Sequence, residues 1–197
     1  MVNPRGERKR AAILDAAGEV FLANGYVGTS MDEVAAVAAV SKQTVYQHFR
    51  DKETLFHELI TATVLHGAER VPEAPVLPGE RPLDEELRAF ARLLLHGVMQ
   101  PQVLRLRRVV IAEATRFPGL GRSFYDLGVA RTVATLAAAL PGLDDPDLAA
   151  EHFVWLVLSI PLNRAMLLGD DHGIGPGDLD RYADAGVAAF LAAYAPG

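Results

Sequence analysis

The chain has 197 residues, half of them apolar, and its 19 Lys and Arg against 25 Asp and Glu leave a formal charge of −6. That composition excludes a disordered, collagenous or polybasic protein, and the length suffices for a full hydrophobic core. The absence of cysteine excludes disulfide staples, thiolate catalysis and zinc fingers.

Arg5, Arg8, Lys9 and Arg10 gather at the N-terminus, but Asp15 and Glu19 interrupt the apolar stretch that follows, unlike a secretion signal. Ile13, Ala17, Val20 and Phe21 recur at helical spacing, and Gly25 ends this first helix. Ser30 and Glu33 form a Ser-x-x-Glu capping box for a short second helix to about Ala38, and Ser41 supplies the N-cap of a third. A fourth helix runs from about Lys52 to Arg70, and Pro72, Pro75, Pro78 and Pro82 separate it from a fifth starting near Asp84. Breaks at Gln100-Pro101, Phe117-Pro118-Gly119 and Pro141-Gly142 delimit a sixth and a seventh. Asp145-Pro146 opens the eighth, which Pro161 should kink, and the glycine-rich loop from Gly169 to Gly177 precedes the ninth. The expected fold is all-α with about nine helices. A three-helix domain over residues 1–51 precedes a larger helical domain over 52–197. The apolar run from Phe153 to Leu162 is shorter than the roughly 20 residues that cross a bilayer, so a cytoplasmic protein without a membrane partner is expected.

Two short helices joined by a tight turn make a helix-turn-helix, whose second helix enters the major groove of DNA. Val45 and Phe49, four residues apart, can pack inward on Val34 and Val37, leaving Gln43, Thr44, Tyr46 and Gln47 on the opposite side. These side chains suit base edges and phosphates, and Lys42, His48 and Lys52 add donors for the backbone strands. Residues 1–56 carry seven basic and seven acidic residues. The module is therefore neutral overall, with its bases clustered at residues 5–10 and around the third helix.

Gly25-Tyr26, Thr29-Ser30, Val34-Ala35, Ala38, Val40-Ser41-Lys42, Tyr46, His48-Phe49, Lys52-Glu53 and Leu55-Phe56 stand in one unbroken register. In these residues the sequence resembles the tetracycline-repressor (TetR-type) family of bacterial transcriptional regulators. The resemblance implies that Thr29 touches a phosphate, that Gln43 and Thr44 face bases, and that Tyr46, His48 and Lys52 grip the DNA backbone. With Ser30, Ser41, Lys42 and Gln47 these form the candidate DNA-binding set. Ala39 and Gln43 stand where the family commonly has glycine. Ala112-Glu113-Ala114-Thr115-Arg116-Phe117-Pro118, followed by Phe124-Tyr125, is similar to the AefR-like subset.

The reading is a ligand-responsive repressor that binds pseudo-palindromic operator DNA as a homodimer and is released by a small apolar or aromatic effector. Phe90, His96, Phe117, Phe124, Trp155, Asn163 and Arg164 are the candidates for lining the effector cavity. Ala183, Gly186, Ala189 and Ala193 on the ninth helix, with Ala149 and Ala150 on the eighth, permit close helix approach. The resemblance implies a dimeric four-helix bundle there; packing within one chain is the alternative. His66 and Glu69 have a metal-site spacing but read as a solvated face, and Asp170-Asp171-His172 as a polar loop. No metal or cofactor is expected, and no enzyme motif is present. The competing reading is a helical small-molecule-binding protein or enzyme with a vestigial helix-turn-helix.

Overall fold

The computed structural model describes residues 4–68, 82–140 and 142–194. The stretch from Pro72 to Pro78, Pro141, the side chain of Arg5 and the His66–Glu69 pair lie outside the described residues. In chain order the helices are α1 (Pro4–Gly28), α2 (Met31–Val37), α3 (Lys42–His48), α4 (Lys52–Ala68), α5 (Leu83–Val98), α6 (Pro101–Glu113), α7 (Pro118–Tyr125), α8 (Arg131–Ala138), α9 (Pro146–Leu168) and α10 (Pro176–Tyr194). The fold is all-α, with no strand among the described residues. A π-helical turn at Asp126–Ala130 separates α7 from α8, where a single helix is expected from sequence. The expected eighth and ninth helices are therefore α9 and α10.

The chain divides into two compact units, Met1–Thr63 with Arg105–Phe124, and Val64–Leu104 with Tyr125–Gly197. Compactness thus draws its line differently from a cut after residue 51. The first unit keeps the start of α4 and takes in most of α6 and α7.

In the first unit, α1 buries Ile13, Ala17, Val20 and Phe21 on one face. It leaves helical geometry at Gly25, whose φ of 69° is open to glycine at little steric cost. The chain then turns Tyr26 inward, 5.8 Å from the Phe21 ring and 5.1 Å from that of Phe56. The turn between α6 and α7 joins this cluster through Phe117, whose ring centre lies 4.7 Å from that of Tyr26. Tyr26 is stacked parallel to Phe21 and meets Phe56 and Phe117 edge to face, contacts that add to the stabilisation from burial.

In the second unit, Leu87, Phe90, Ala91, Leu94 and Leu95 form the buried stripe of α5. They join one core with Leu136 of α8, Phe153 and Val157 of α9, and Ala183, Val187 and Phe190 of α10. A Cβ placed on Gly186 would lie 2.9 Å from the Leu156 carbonyl oxygen, so glycine sets how closely α9 and α10 approach. Ala183 and Gly186 are spent on this contact within the chain, whereas Ala189 and Ala193 are exposed. Arg92 joins α5 to α10 through two hydrogen bonds to Asp184 (2.9 and 2.7 Å), and His96 through Asp180 at 2.8 Å.

Asp145 caps α9 by accepting from the Leu148 N–H at 3.1 Å, and the helix continues through the buried Pro161 until Gly169, at φ 66°, ends it. At 23 residues α9 outruns the apolar stretch counted in the sequence. With the turn that follows it is long and apolar enough to cross a membrane by length and composition alone. Its inner face, from Ala149 to Ala165, belongs to the second unit's core, as in a core helix.

Candidate nucleic-acid interface

The interface is built from the start of α2, the turn and α3. Ser30 Oγ accepts from the Glu33 N–H at 3.2 Å and starts α2. The second half of the expected capping box is absent, because the Glu33 carboxylate accepts from Asn24 Nδ2 at 2.8 Å and so ties α2 to the end of α1. Ala39 turns the chain at φ 52°, a left-handed conformation that costs an alanine more than a glycine. Ser41 Oγ then accepts from the Thr44 N–H at 3.1 Å and shares a 2.8 Å hydrogen bond with Thr44 Oγ1. Two caps within a dozen residues allow two seven-residue helices to form so close together.

Val45 (0% exposed) and Phe49 (1%) pin α3 to the interior. That anchoring sets the helical phase: Gln43, Tyr46 and Gln47 are exposed, Thr44 and His48 half-buried. Lys42 is exposed, with its ammonium 2.7 and 2.9 Å from the two Asp32 oxygens, a pairing that raises its pKa. A phosphate would have to compete with Asp32 for this lysine. Of the N-terminal bases, Arg8 and Lys9 are exposed, while Arg10 is engaged by Glu58 at 2.6 Å and lies over the Phe49 ring.

Two expected phosphate contacts are turned inward. Thr29 is 4% exposed, and its hydroxyl donates to the Gly25 carbonyl at 2.8 Å. Lys52 Nζ donates to the carbonyls of Tyr26 (2.8 Å), Thr29 (3.0 Å) and Val27 (3.3 Å) and sits 4.7 Å over the Tyr26 ring. The end of α1 leaves carbonyls without helical partners, and an ammonium with three donors is well suited to collect them. Both residues thus hold the end of α1 and the start of α4 in place. Tyr26, the ring at the centre of this cluster, is absent from the expected site set, although Gly25-Tyr26 marks its position in the sequence. Burial, followed by Glu53, Asp51 and Glu113, raises its hydroxyl pKa.

The seven residues expected around an effector cavity are divided between the two units. Phe117 and Phe124 belong to the first unit, Phe117 against Tyr26 and Phe124 over the Arg107 guanidinium at 5.3 Å. In the second unit Phe90 lies in the core and His96 pairs with Asp180. Trp155 is 44% exposed, and Asn163 and Arg164 are exposed with it. Helical phase accounts for this. The inward positions of α9 are Phe153, Val154, Val157, Leu158, Pro161, Leu162 and Ala165, which turn 155, 163 and 164 outward. In the loop after α9, His172 Nδ1 accepts from the Ile174 N–H, and no cluster among the described residues could hold a metal ion.

A family model described as bacterial regulatory proteins of the tetR family matches residues 13–59, and one described as the AefR-like transcriptional repressor C-terminal domain matches residues 85–196. The crystal structure of a TetR-family regulator from Mesorhizobium loti MAFF303099 is 41% identical, covers 98% of this chain and 99% of that one, and superposes with a TM-score of 0.85. The flavonoid-responsive regulator FrrA is 35% identical over 96% of this chain and 98% of its own, with a TM-score of 0.79. YhgD of Bacillus subtilis, an HTH-type transcriptional regulator, is 40% identical over 72 residues, which is 36% of this chain and 38% of that protein. Two matched models and a full-length fold with helix-turn-helix geometry place the chain in the TetR family of bacterial transcriptional regulators.

Proposed function

We propose that the chain is a homodimeric repressor that reads its operator with the outer face of α3 and is released from DNA by a small aromatic effector. The observation that carries the reading is the phase of α3. Val45 and Phe49 are fully buried, so Gln43, Tyr46 and Gln47 point away from the protein together. Amide and phenol groups of this kind can meet base edges and phosphates in a major groove. Ser30, Ser41 and Lys42 flank them as candidate phosphate contacts, and Thr44 and His48 are the less exposed members of the set. The protein would act in the cytoplasm, where its DNA lies, with no membrane partner.

Recognition of a pseudo-palindrome requires two such helices one turn of DNA apart, roughly 34 Å. The outer face of α9 supplies an apolar surface for pairing two copies: Leu148, Trp155, Leu156 and Ile160 are each more than 40% exposed. On α10 the exposed Ala189 and Ala193 offer small side chains for close helix contact. An effector acts by favouring a dimer whose α3 helices no longer match successive grooves. Within the first unit, displacement of the 105–124 segment would reach the α1–α4 junction through Phe117 and Tyr26. The aromatic class of effector takes support from FrrA, named as flavonoid-responsive.

The test is to select bound duplexes from random DNA with the full-length protein and then challenge the complex with aromatic metabolites, flavonoids included. A pseudo-palindromic site bound at nanomolar concentration with a steep salt dependence, released by at least one compound, supports the proposal. Weak, unselective binding would identify the motif as vestigial.

A further inference from the structure

Arg107 lies on α6, one turn before the buried Val110, and its Nε is closed off from solvent with no hydrogen-bond acceptor among the described residues. A Cβ on Gly121 would be 3.2 Å from that of Ala114, and one turn further along α7 the Phe124 ring comes to lie 5.3 Å from the Arg107 guanidinium carbon. Burial lowers the pKa of Arg107, and no neighbouring carboxylate counters that shift. Three other cations of the first unit have polar partners: Arg10 has Glu58, Lys42 has Asp32, and Lys52 has three carbonyls.

An Nε–H that is closed off from solvent and receives only a ring face in return is not explained by stability, because an apolar side chain of similar length would fill the same space without losing hydration. Guanidinium groups bind carboxylates through paired parallel hydrogen bonds, and the adjacent aromatic ring suits an apolar or aromatic body. We propose that Arg107 and Phe124 form an anion-binding subsite for the effector, so that the molecule that acts on this regulator is an aromatic carboxylic acid bound as its carboxylate. The inference rests on the reading of the protein as effector-responsive and narrows the effector's chemistry. It also places the recognition point on the 105–124 segment, which carries Phe117 to Tyr26.

The experiment compares full-length wild type with Arg107→Met and Arg107→Lys. Without added ligand, Arg107→Met should melt a few degrees above wild type, because it removes a buried N–H that has no acceptor. Benzoate, cinnamate and 4-hydroxybenzoate are then titrated beside their neutral amides by calorimetry. At least one acid should bind wild type ten-fold or more tightly than its amide. That preference should vanish in Arg107→Met and be partly kept in Arg107→Lys, while amide binding changes little. A lower melting temperature for Arg107→Met would show that the arginine is a structural element, and equal binding of every acid and its amide to wild type would remove the anion site. Operator binding, followed in the same samples, separates the two proposals. Operator bound without acid preference defeats this inference alone, whereas acid preference without operator binding defeats the regulatory reading and leaves the subsite standing.

Discussion

Lys52 Nζ donates a 2.8 Å hydrogen bond to the carbonyl of Tyr26 and lies 4.7 Å over the ring of the same residue. One side chain at the start of α4 thereby holds both the backbone and the aromatic face of the residue that follows the Gly25 turn. Replacing it with methionine keeps the stem but removes the ammonium. We expect a loss of about 1.5–3 kcal/mol in urea unfolding, the range for hydrogen bonds to a charged group. The salt slope of DNA binding should not change. A slope reduced by about one, with stability intact, would return Lys52 to the phosphate contacts.

Ala39 occupies a left-handed turn at φ 52°, where its Cβ is unfavourable. Ala39→Gly should therefore stabilise the protein, by up to about 1 kcal/mol once the greater freedom of glycine in the unfolded chain is offset. A midpoint that falls in denaturant would show that the turn is unstrained.

Much of this was legible from the chain, and the exceptions share a cause. The caps at Ser30, Ser41 and Asp145 lie beside the backbone groups they satisfy, so local pattern locates them. The inward phase of Val45 and Phe49 follows from period alone. What local pattern does not contain is where a long side chain ends. Lys52 reaches carbonyls 23 to 26 residues earlier, and Glu33 reaches Asn24 instead of its own helix start. Trp155, a cavity candidate by sequence, is exposed in this chain because Phe153 and Val157 set the phase of α9. The grouping of residues 105–124 with the helix-turn-helix is a long-range contact between aromatic rings, invisible to spacing.

Asp51 caps α4 by accepting from the Thr54 N–H at 2.7 Å, and hydrogen bonds from Thr54 and then Arg50 hold its pKa at about 2, below the usual 3.8. A carboxyl with a lowered folded-state pKa contributes stability that is fully present above 3.8 and fades as the pH falls through about 2. Carboxyl-carbon titration by NMR should place its midpoint near 2 while the protein stays folded. Asp51→Ala should lower stability at neutral pH and flatten the acid dependence between pH 4 and 2. A normal midpoint would show that the cap is not formed in solution.

Gly186 and Ala189 lie three residues apart on α10 and make opposite predictions. Gly186→Ala brings a Cβ against the Leu156 carbonyl, so α9 and α10 must separate, at a cost of about 1–3 kcal/mol typical of overpacking. Ala189→Arg meets only solvent in one chain, yet should abolish the dimer if α10 pairs with its copy. Urea unfolding and sedimentation at micromolar concentration read the two effects. A wild-type monomer, or an Ala189→Arg dimer, would rule out the interface on α9 and α10.

The central claim is that the outer face of α3 reads DNA sequence, and the most direct measurement is the base preference of Gln43→Ala beside wild type, each selected from the same random duplexes. Gln43 is exposed next to Thr44 on a helix fixed by Val45 and Phe49, so its loss leaves the fold intact and removes only what its amide contacts. The account predicts symmetric half-sites for both proteins, with the preference relaxed at one or two positions per half-site in Gln43→Ala and a discrimination loss of about 1–3 kcal/mol there. Identical preferences and identical affinities for the two proteins would contradict it.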